Sequence, residues 1–146
     1  MYEINETRVD EFDFLSKLIE MIADGNGMVV SNAVASLTEI SNLKGPVLKM
    51  DGATLHKLLT ALPECSEWGR VYILDFLALH MVKDGKDIDS AITRIIPHLS
   101  HSNAAVVLSA AKVLIRYMDF VTDPEKLRSI NRKLAPPLGN LFASSF

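Results

Sequence analysis

Cysteine is nearly absent. Cys65 stands alone among 146 residues, so no internal disulfide framework can hold the fold, and a lone thiol suits a reducing compartment. Long apolar runs are missing too: none approaches the roughly 18 to 20 residues of a membrane span. Residues 1–13 carry Glu3, Glu6, Asp10, Glu11 and Asp13, the wrong charge for a secretory leader. Positive charge is not in excess, with 15 Lys and Arg against 18 Asp and Glu, which argues against general nucleic-acid binding. Strand signals are scarce. What is present is apolar content. Hydrophobic residues make up 49% of the chain and charged residues 23%, which excludes disorder as the dominant state and supports a domain-sized core. These features describe a soluble, cytoplasmic, globular chain.

Charge is unevenly spread. Residues 1–30 hold seven acids and two bases (net −5), residues 31–90 eight and six (net −2), and residues 91–146 three and seven (net +4). Solvated helix faces of different composition account for this polarity as well as an acidic and a basic binding end would.

Helical periodicity is continuous. Val29, Val30, Ala33, Val34, Leu37 and Ile40 follow the i, i+3, i+4, i+7 spacing of one helix face, as do Val106, Val107, Ala110, Ala111, Leu114, Ile115 and Met118. Trp68 to Leu79 is apolar nearly all round, broken by Arg70 and Asp75, which predicts a helix with neighbours on two sides. Further helices are expected near 12–23, 53–62, 87–99 and 125–142. Their ends have chemical causes. Gly25 and Gly27 flank a turn, Asp51 is placed to cap the helix that Pro63 ends, and Ser66 and Ser102 are candidate N-caps. Asp123-Pro124 reads as a cap followed by proline at the first helical position. Residues 41–50, with Gly45-Pro46, form the longest irregular stretch.

An internal repeat organises these helices. The segment Asn26 to Leu37 aligns with Asn103 to Leu114 at an offset of 77, two periods of 38.5. Leu37, Leu77 and Leu114 are then equivalent, and Ile22, Leu62, Leu99 and Leu138 form a second register. Seven helices alternating between two registers at 37–40 residues match the HEAT/armadillo class. The expected fold is an all-α, right-handed solenoid of about three and a half helix pairs with one continuous core. Pro97 falls inside a helical pattern and Pro136-Pro137 about one period later, so both are expected to kink continuous helices.

Specific words now carry a resemblance. Asp24 to Ile40, Lys57 to Arg70 (KLLTALPECSEWGR), Leu99 to Leu114 (LSHSNAAVVLSAAKVL) and Lys133 to Leu138 (KLAPPL) resemble the trunk of β-adaptins, the large β subunits of clathrin adaptor complexes. Tyr2 to Asn5, Val9 to Glu11 and Phe14-Leu15 fit the same pattern. Residues 41–51 do not align, and His80-Met-Val82 is more apolar than the pattern. The resemblance implies residues 1–146 are one segment of an N-terminal adaptin trunk, cut at both ends. Tyr2, Ile4, Phe142 and Phe146 are then expected to face water where neighbouring repeats would stack. It implies a non-enzymatic subunit that works by protein contacts in vesicle-mediated transport. Its partners would be a second large adaptin, a medium chain and a small chain, with clathrin bound through parts missing from the segment. No nucleic acid is implied, and the membrane is met only peripherally, on coated vesicles, the trans-Golgi or plasma-membrane coated pits. The alternative is another HEAT/armadillo scaffold or a transport-receptor fragment.

Candidate chemistry is thin. His98 and His101 are three apart, with His80 and Cys65 elsewhere, and capping or surface positions explain both histidines better than zinc, which wants converging ligands. Cys65 has no adjacent base and reads as an inert thiol. Asp75 interrupts an apolar helix and is expected in a structural salt bridge with Arg70 or a neighbouring helix, with a binding role as the alternative. Trp68 is expected in the core between repeats. Gly25-Asn-Gly27 lacks the spacing and preceding strand of a phosphate loop. Lys112, Arg116, Lys126, Arg128, Arg132 and Lys133 gather over two successive helices without forming a tight polybasic run. No catalytic, cofactor or metal residues are assigned, no cofactor is implied, and the partner-binding residues are open.

Overall fold

The computed structural model describes residues 13–45, 50–82 and 84–144. Helix α1 is described over residues 13–21, followed by α2 (Gly27–Lys44), α3 (Gly52–Ala61), α4 (Glu67–Leu79), α5 (Gly85–Ile95), α6 (Ala104–Met118) and α7 (Pro124–Ser144). Short 3₁₀ turns follow α3 (Leu62–Glu64) and α5 (Ile96–Ser100). No strand occurs among the described residues. The fold is an all-α solenoid. Helices α2, α4 and α6 pack side by side in one layer, α3 packs on α5 in the other, and α7 closes on α6 and on the turn after α5.

Local chemistry sets the helix starts. Asn26, Asp51, Ser66, Asp84 and Asn103 each accept a backbone N–H of the first turn, which satisfies a donor that the helix leaves unpaired. Asp123 does the same for Glu125 at 2.9 Å, with Pro124 opening α7. The cap of α6 is Asn103 rather than Ser102, because the Asn103 carbonyl oxygen reaches the Ala105 N–H at 2.9 Å. Helix α2 runs on through Ser41 to Lys44, into the stretch expected to be irregular.

Pro97 corrects an expectation. The α-helix ends at Ile95, and Pro97 sits in the first turn of the 3₁₀ segment instead of kinking a continuous helix. The last α-type bond runs from the Ile96 N–H to the Ile92 carbonyl. Proline has no N–H to extend that ladder, and the chain tightens to the 3₁₀ form. Pro63 does the same after α3, so the recurring device is Pro63 and Pro97. Pro136 and Pro137 differ from both, lying inside α7.

The two registers hold. Leu37, Leu62, Leu77 and Leu114 are fully buried, Ile22 and Leu99 nearly so, and Leu138 is half-buried against the same core. Among the described side chains of α7 the deepest are Ile130 and Leu134, one turn apart. Polar ties between repeats reach one period. Cys65 Sγ donates to the Gly27 carbonyl (38 residues away), Arg116 to the Ala78 carbonyl (38), Lys126 to Asp89 (37), Asn103 to Glu67 (36) and Arg94 to Thr60 (34). Close backbone approach recurs at the same reach. A Cβ on Gly27 would lie 2.8 Å from the Glu64 carbonyl oxygen, and one on Gly69 would lie 2.8 Å from the Ser31 Cβ.

The core contains one polar anomaly. Tyr117 is fully buried, and its hydroxyl has no hydrogen-bond partner among the described residues. Burial first, and Asp87 second, push its pKa up to about 12. An orphaned buried hydroxyl costs desolvation without return, so Tyr117→Phe is expected to stabilise the chain by up to about 1 kcal/mol. A thermal midpoint that falls in the variant would show that the hydroxyl has an unseen partner.

Candidate interaction surface

The middle helix of the α2–α4–α6 layer presents a stripe outward. Trp68, Tyr72, Asp75 and Leu79 follow the i, i+4, i+7, i+11 spacing of one helix face. Trp68 is 68% exposed, Tyr72 47% and Leu79 57%. The opposite side of α4, with Ile73, Leu74, Phe76 and Leu77, is fully buried. On α6, Leu108 and Ile115 are also exposed, at 46% and 49%. Between the two helices lies an open, mostly apolar groove of about 480 Å³, lined by Asp75, Ala78, Leu79, Lys112, Ile115 and Arg116.

Trp68 was expected in the core and lies outside it. Helix α4 has lateral neighbours in α2 and α6 and also packs on the turn after α3. Its fourth side is open, and the apolar residues there have no cover among the described residues. Isolated exposed apolar side chains are ordinary, but contiguous ones across two helices mark a contact surface. The expected Asp75–Arg70 bridge does not form either. Five residues along a helix turn the side chain by about 140°, so the two groups face apart. Arg70 donates to the carbonyls of Cys65 (3.2 Å) and Pro63 (3.0 Å), closing the 3₁₀ turn. Asp75 is half-buried, and its Oδ1, wholly buried, has no hydrogen-bond partner among the described residues.

The other sequence candidates scatter. Cys65 is buried, donating to the Gly27 carbonyl at 3.3 Å and the Ala61 carbonyl at 3.2 Å, and burial pushes its thiol above the ordinary pKa. A thiol held protonated is a poor nucleophile. His101 Nδ1 accepts the Asn103 N–H at 3.0 Å. Among the described residues no three His, Cys, Asp or Glu side chains converge in a way that could hold a metal ion. The basic residues divide as well. Lys112 and Arg116 lie on the groove, whereas Lys126 on α7 pairs with Asp89 of α5 at 2.9 Å. Tyr2, Ile4 and Phe146, and the side chain of Phe142, lie outside the described residues.

His98 is buried, not at the surface as expected. Burial lowers its pKa below the ordinary 6.5, with Arg70 and His101 adding to the shift, and burial lowers that of His80 likewise. The sign follows directly. The folded chain favours neutral imidazole, while the unfolded chain takes up protons from about pH 6.5 downward, so stability is full above that pH and falls below it. Urea midpoints are expected to drop from pH 7.5 to 5.5, above the ordinary carboxylate range, and to drop less in His98→Gln. A flat profile would contradict the buried placement.

Comparison with known proteins follows the same outline. The model of a family described as Cnd1, non-SMC mitotic condensation complex subunit 1, matches residues 1–116. Over 147 aligned residues, 99% of this chain, the sequence is 44% identical to the AP-1 complex subunit beta-1 of Mus musculus and equally to that of Homo sapiens. It is 33% identical over 98% of its length to the AP-2 complex subunit beta of Schizosaccharomyces pombe. The chain spans 16% of each mammalian relative and 21% of the yeast one. No described helix is long and apolar enough to cross a membrane. With a HEAT-like family model over most of its length and AP β-subunit relatives over nearly all of it, the chain belongs to the Cnd1 family of helical-repeat proteins and is a relative of the β-adaptins.

Proposed function

We propose that residues 1–146 form a segment of a clathrin-adaptor β-subunit trunk, about three and a half helical repeats of a longer solenoid. The observation that carries this reading is 44% identity to AP-1 β subunits over 99% of the chain. The segment works without catalysis. A stacked pair of helical layers offers a rigid framework on which other chains dock, and the exposed apolar stripe of α4 and α6 suits contact rather than chemistry. Its partners are the second large adaptin, the medium chain and the small chain of one complex, with clathrin held by regions outside this segment. The complex acts in vesicle-mediated transport, peripheral to the trans-Golgi or plasma membrane.

The match to the Cnd1 model favours one alternative, a HEAT-type scaffold of another assembly. The experiment that separates them is tagging of the encoding gene, followed by mass spectrometry of co-purified proteins. A second adaptin with medium and small chains is expected. Recovery of transport receptors, condensation-complex or phosphatase subunits, without other adaptor chains, would move the assignment to the alternative.

A further inference from the structure

Two clefts occupy the same place in different repeats. The register pairs Ile22 with Leu99 and Leu62 with Leu138, at offsets of 77 and 76. Those offsets carry the lining of a cleft between α3 and the turn after α1 onto that of a cleft between α7 and the 3₁₀ turn after α5. Lys57 of the first becomes Lys133 of the second, so each keeps one lysine. The two acids of the first do not survive. Asp24 becomes His101 and Glu64 becomes Asn140, and among the described residues no carboxylate lines the second cleft. Thr60 and Ala61 become Pro136 and Pro137, which join Ile96 and Leu99 as apolar walls. The second cleft is also larger, about 580 Å³ against about 340 Å³.

The polar groups that remain can all donate. His101 Nδ1 accepts the Asn103 N–H at 3.0 Å, which puts the proton of the neutral ring on Nε2. Ser100 adds a hydroxyl, and Lys133, exposed on α7, adds an ammonium group. Glu67 accepts from Asn103 at 2.8 Å and is not part of the lining. A recess with apolar walls and a few polar groups is the ordinary form of a binding site. One fixed positive charge, with neutral donors beside it, matches a single negative charge.

We propose that the cleft between α7 and the turn after α5 binds a carboxylate side chain from a peptide segment of a partner protein. Lys133 pairs with the carboxylate, and His101 Nε2–H and the Ser100 hydroxyl donate to it. An apolar side chain next to the carboxylate in the peptide seats on Leu99, Pro136 and Pro137. A phosphate dianion or an anionic bilayer calls for a cluster of cations, and this cleft is lined by one. The site stands on the comparison of the two repeats and not on the adaptor reading, which the co-purification tests separately.

His101 reports occupancy from inside the cleft. The probe is a short peptide, blocked at both ends, with leucine on each side of a glutamate. It is titrated into the 146-residue chain at neutral pH while the His101 ring signals, identified by their loss in His101→Gln, are followed by NMR. The glutamate peptide is expected to shift those signals with a Kd of about 1 mM or tighter, and a glutamine twin to bind at least about fivefold more weakly. Lys133→Glu, and Asn140→Glu, which restores the acid of the first cleft, should each weaken binding by about tenfold and leave the circular dichroism unchanged. No shift at His101, equal binding of the glutamine twin, or binding indifferent to Lys133→Glu overturns the proposal. So does tighter binding of a phosphoserine twin, which would make the cleft a phosphate site. A response to phosphatidylcholine–phosphatidylserine vesicles and none to the glutamate peptide overturns it too, and would make the cleft a membrane contact.

Discussion

Leu77→Ala is expected to lower the free energy of unfolding by about 2–5 kcal/mol, the range for large-to-small changes in a packed core. Leu77 has no exposed surface and lies on the central helix of the α2–α4–α6 layer, held by neighbours on both sides, so the cavity left behind cannot collapse by a single helix moving. Leu79, two residues on, faces solvent, and Leu79→Ala should change stability by no more than about 0.5 kcal/mol. The pair is a sharp test because composition and helix are shared and only the face differs. Urea unfolding followed by circular dichroism gives both numbers. Similar losses in the two variants would mean that the register placing Leu77 inward is wrong.

Gly27→Ala is expected to destabilise the chain by about 1–3 kcal/mol, although alanine is the better helix former. The added methyl group would meet the backbone carbonyl of Glu64 at 2.8 Å and the amide nitrogen of Cys65 at 3.1 Å. Backbone cannot swing aside as a side chain can, so α2 must back away from the turn after α3 and loosen the Cys65–Gly27 tie. Gly139 provides the opposite case. It lies in α7 with nothing within 4 Å of an added Cβ, and Gly139→Ala should stabilise by about 0.4–1 kcal/mol through helix propensity and reduced unfolded-state freedom. A thermal midpoint that rises in Gly27→Ala would contradict the close approach at Gly27, and one that falls in Gly139→Ala would contradict the open space at Gly139.

What the sequence made legible is what repeats. Leu37, Leu77 and Leu114 could be placed inward because three helices share one period and one face, and Asp51, Ser66 and Asp123 could be placed as caps because capping is local. Trp68 shows where that reasoning stops. An all-round apolar helix signals burial on every side, but the sequence does not say whether the covering atoms belong to the same chain. The spacing 68, 72, 75, 79 was itself a usable signal, since it isolates a second stripe that the register leucines do not occupy. His98 was misplaced for a different reason. Its place just after Pro97, near the end of the helical pattern, suggested a cap or the surface, but the chain continues there as a 3₁₀ segment in which His98 is buried. Asp75 lost its expected partner because Arg70 was nearer in sequence than in space, and the carbonyls of the 3₁₀ turn claimed the guanidinium first.

The one-period reach of the polar ties bears on how such a chain comes together. Closing a loop costs entropy that grows with the logarithm of its length, so a contact between distant segments becomes harder to form as a compact fold enlarges. Here each tie closes a segment of 34 to 38 residues, from Arg94–Thr60 to Cys65–Gly27. A longer solenoid built on the same rule repeats that closure without lengthening it. Each added repeat meets a partner already formed beside it, so growth can proceed from any nucleus in either direction, at an entropic toll per repeat that does not rise with size.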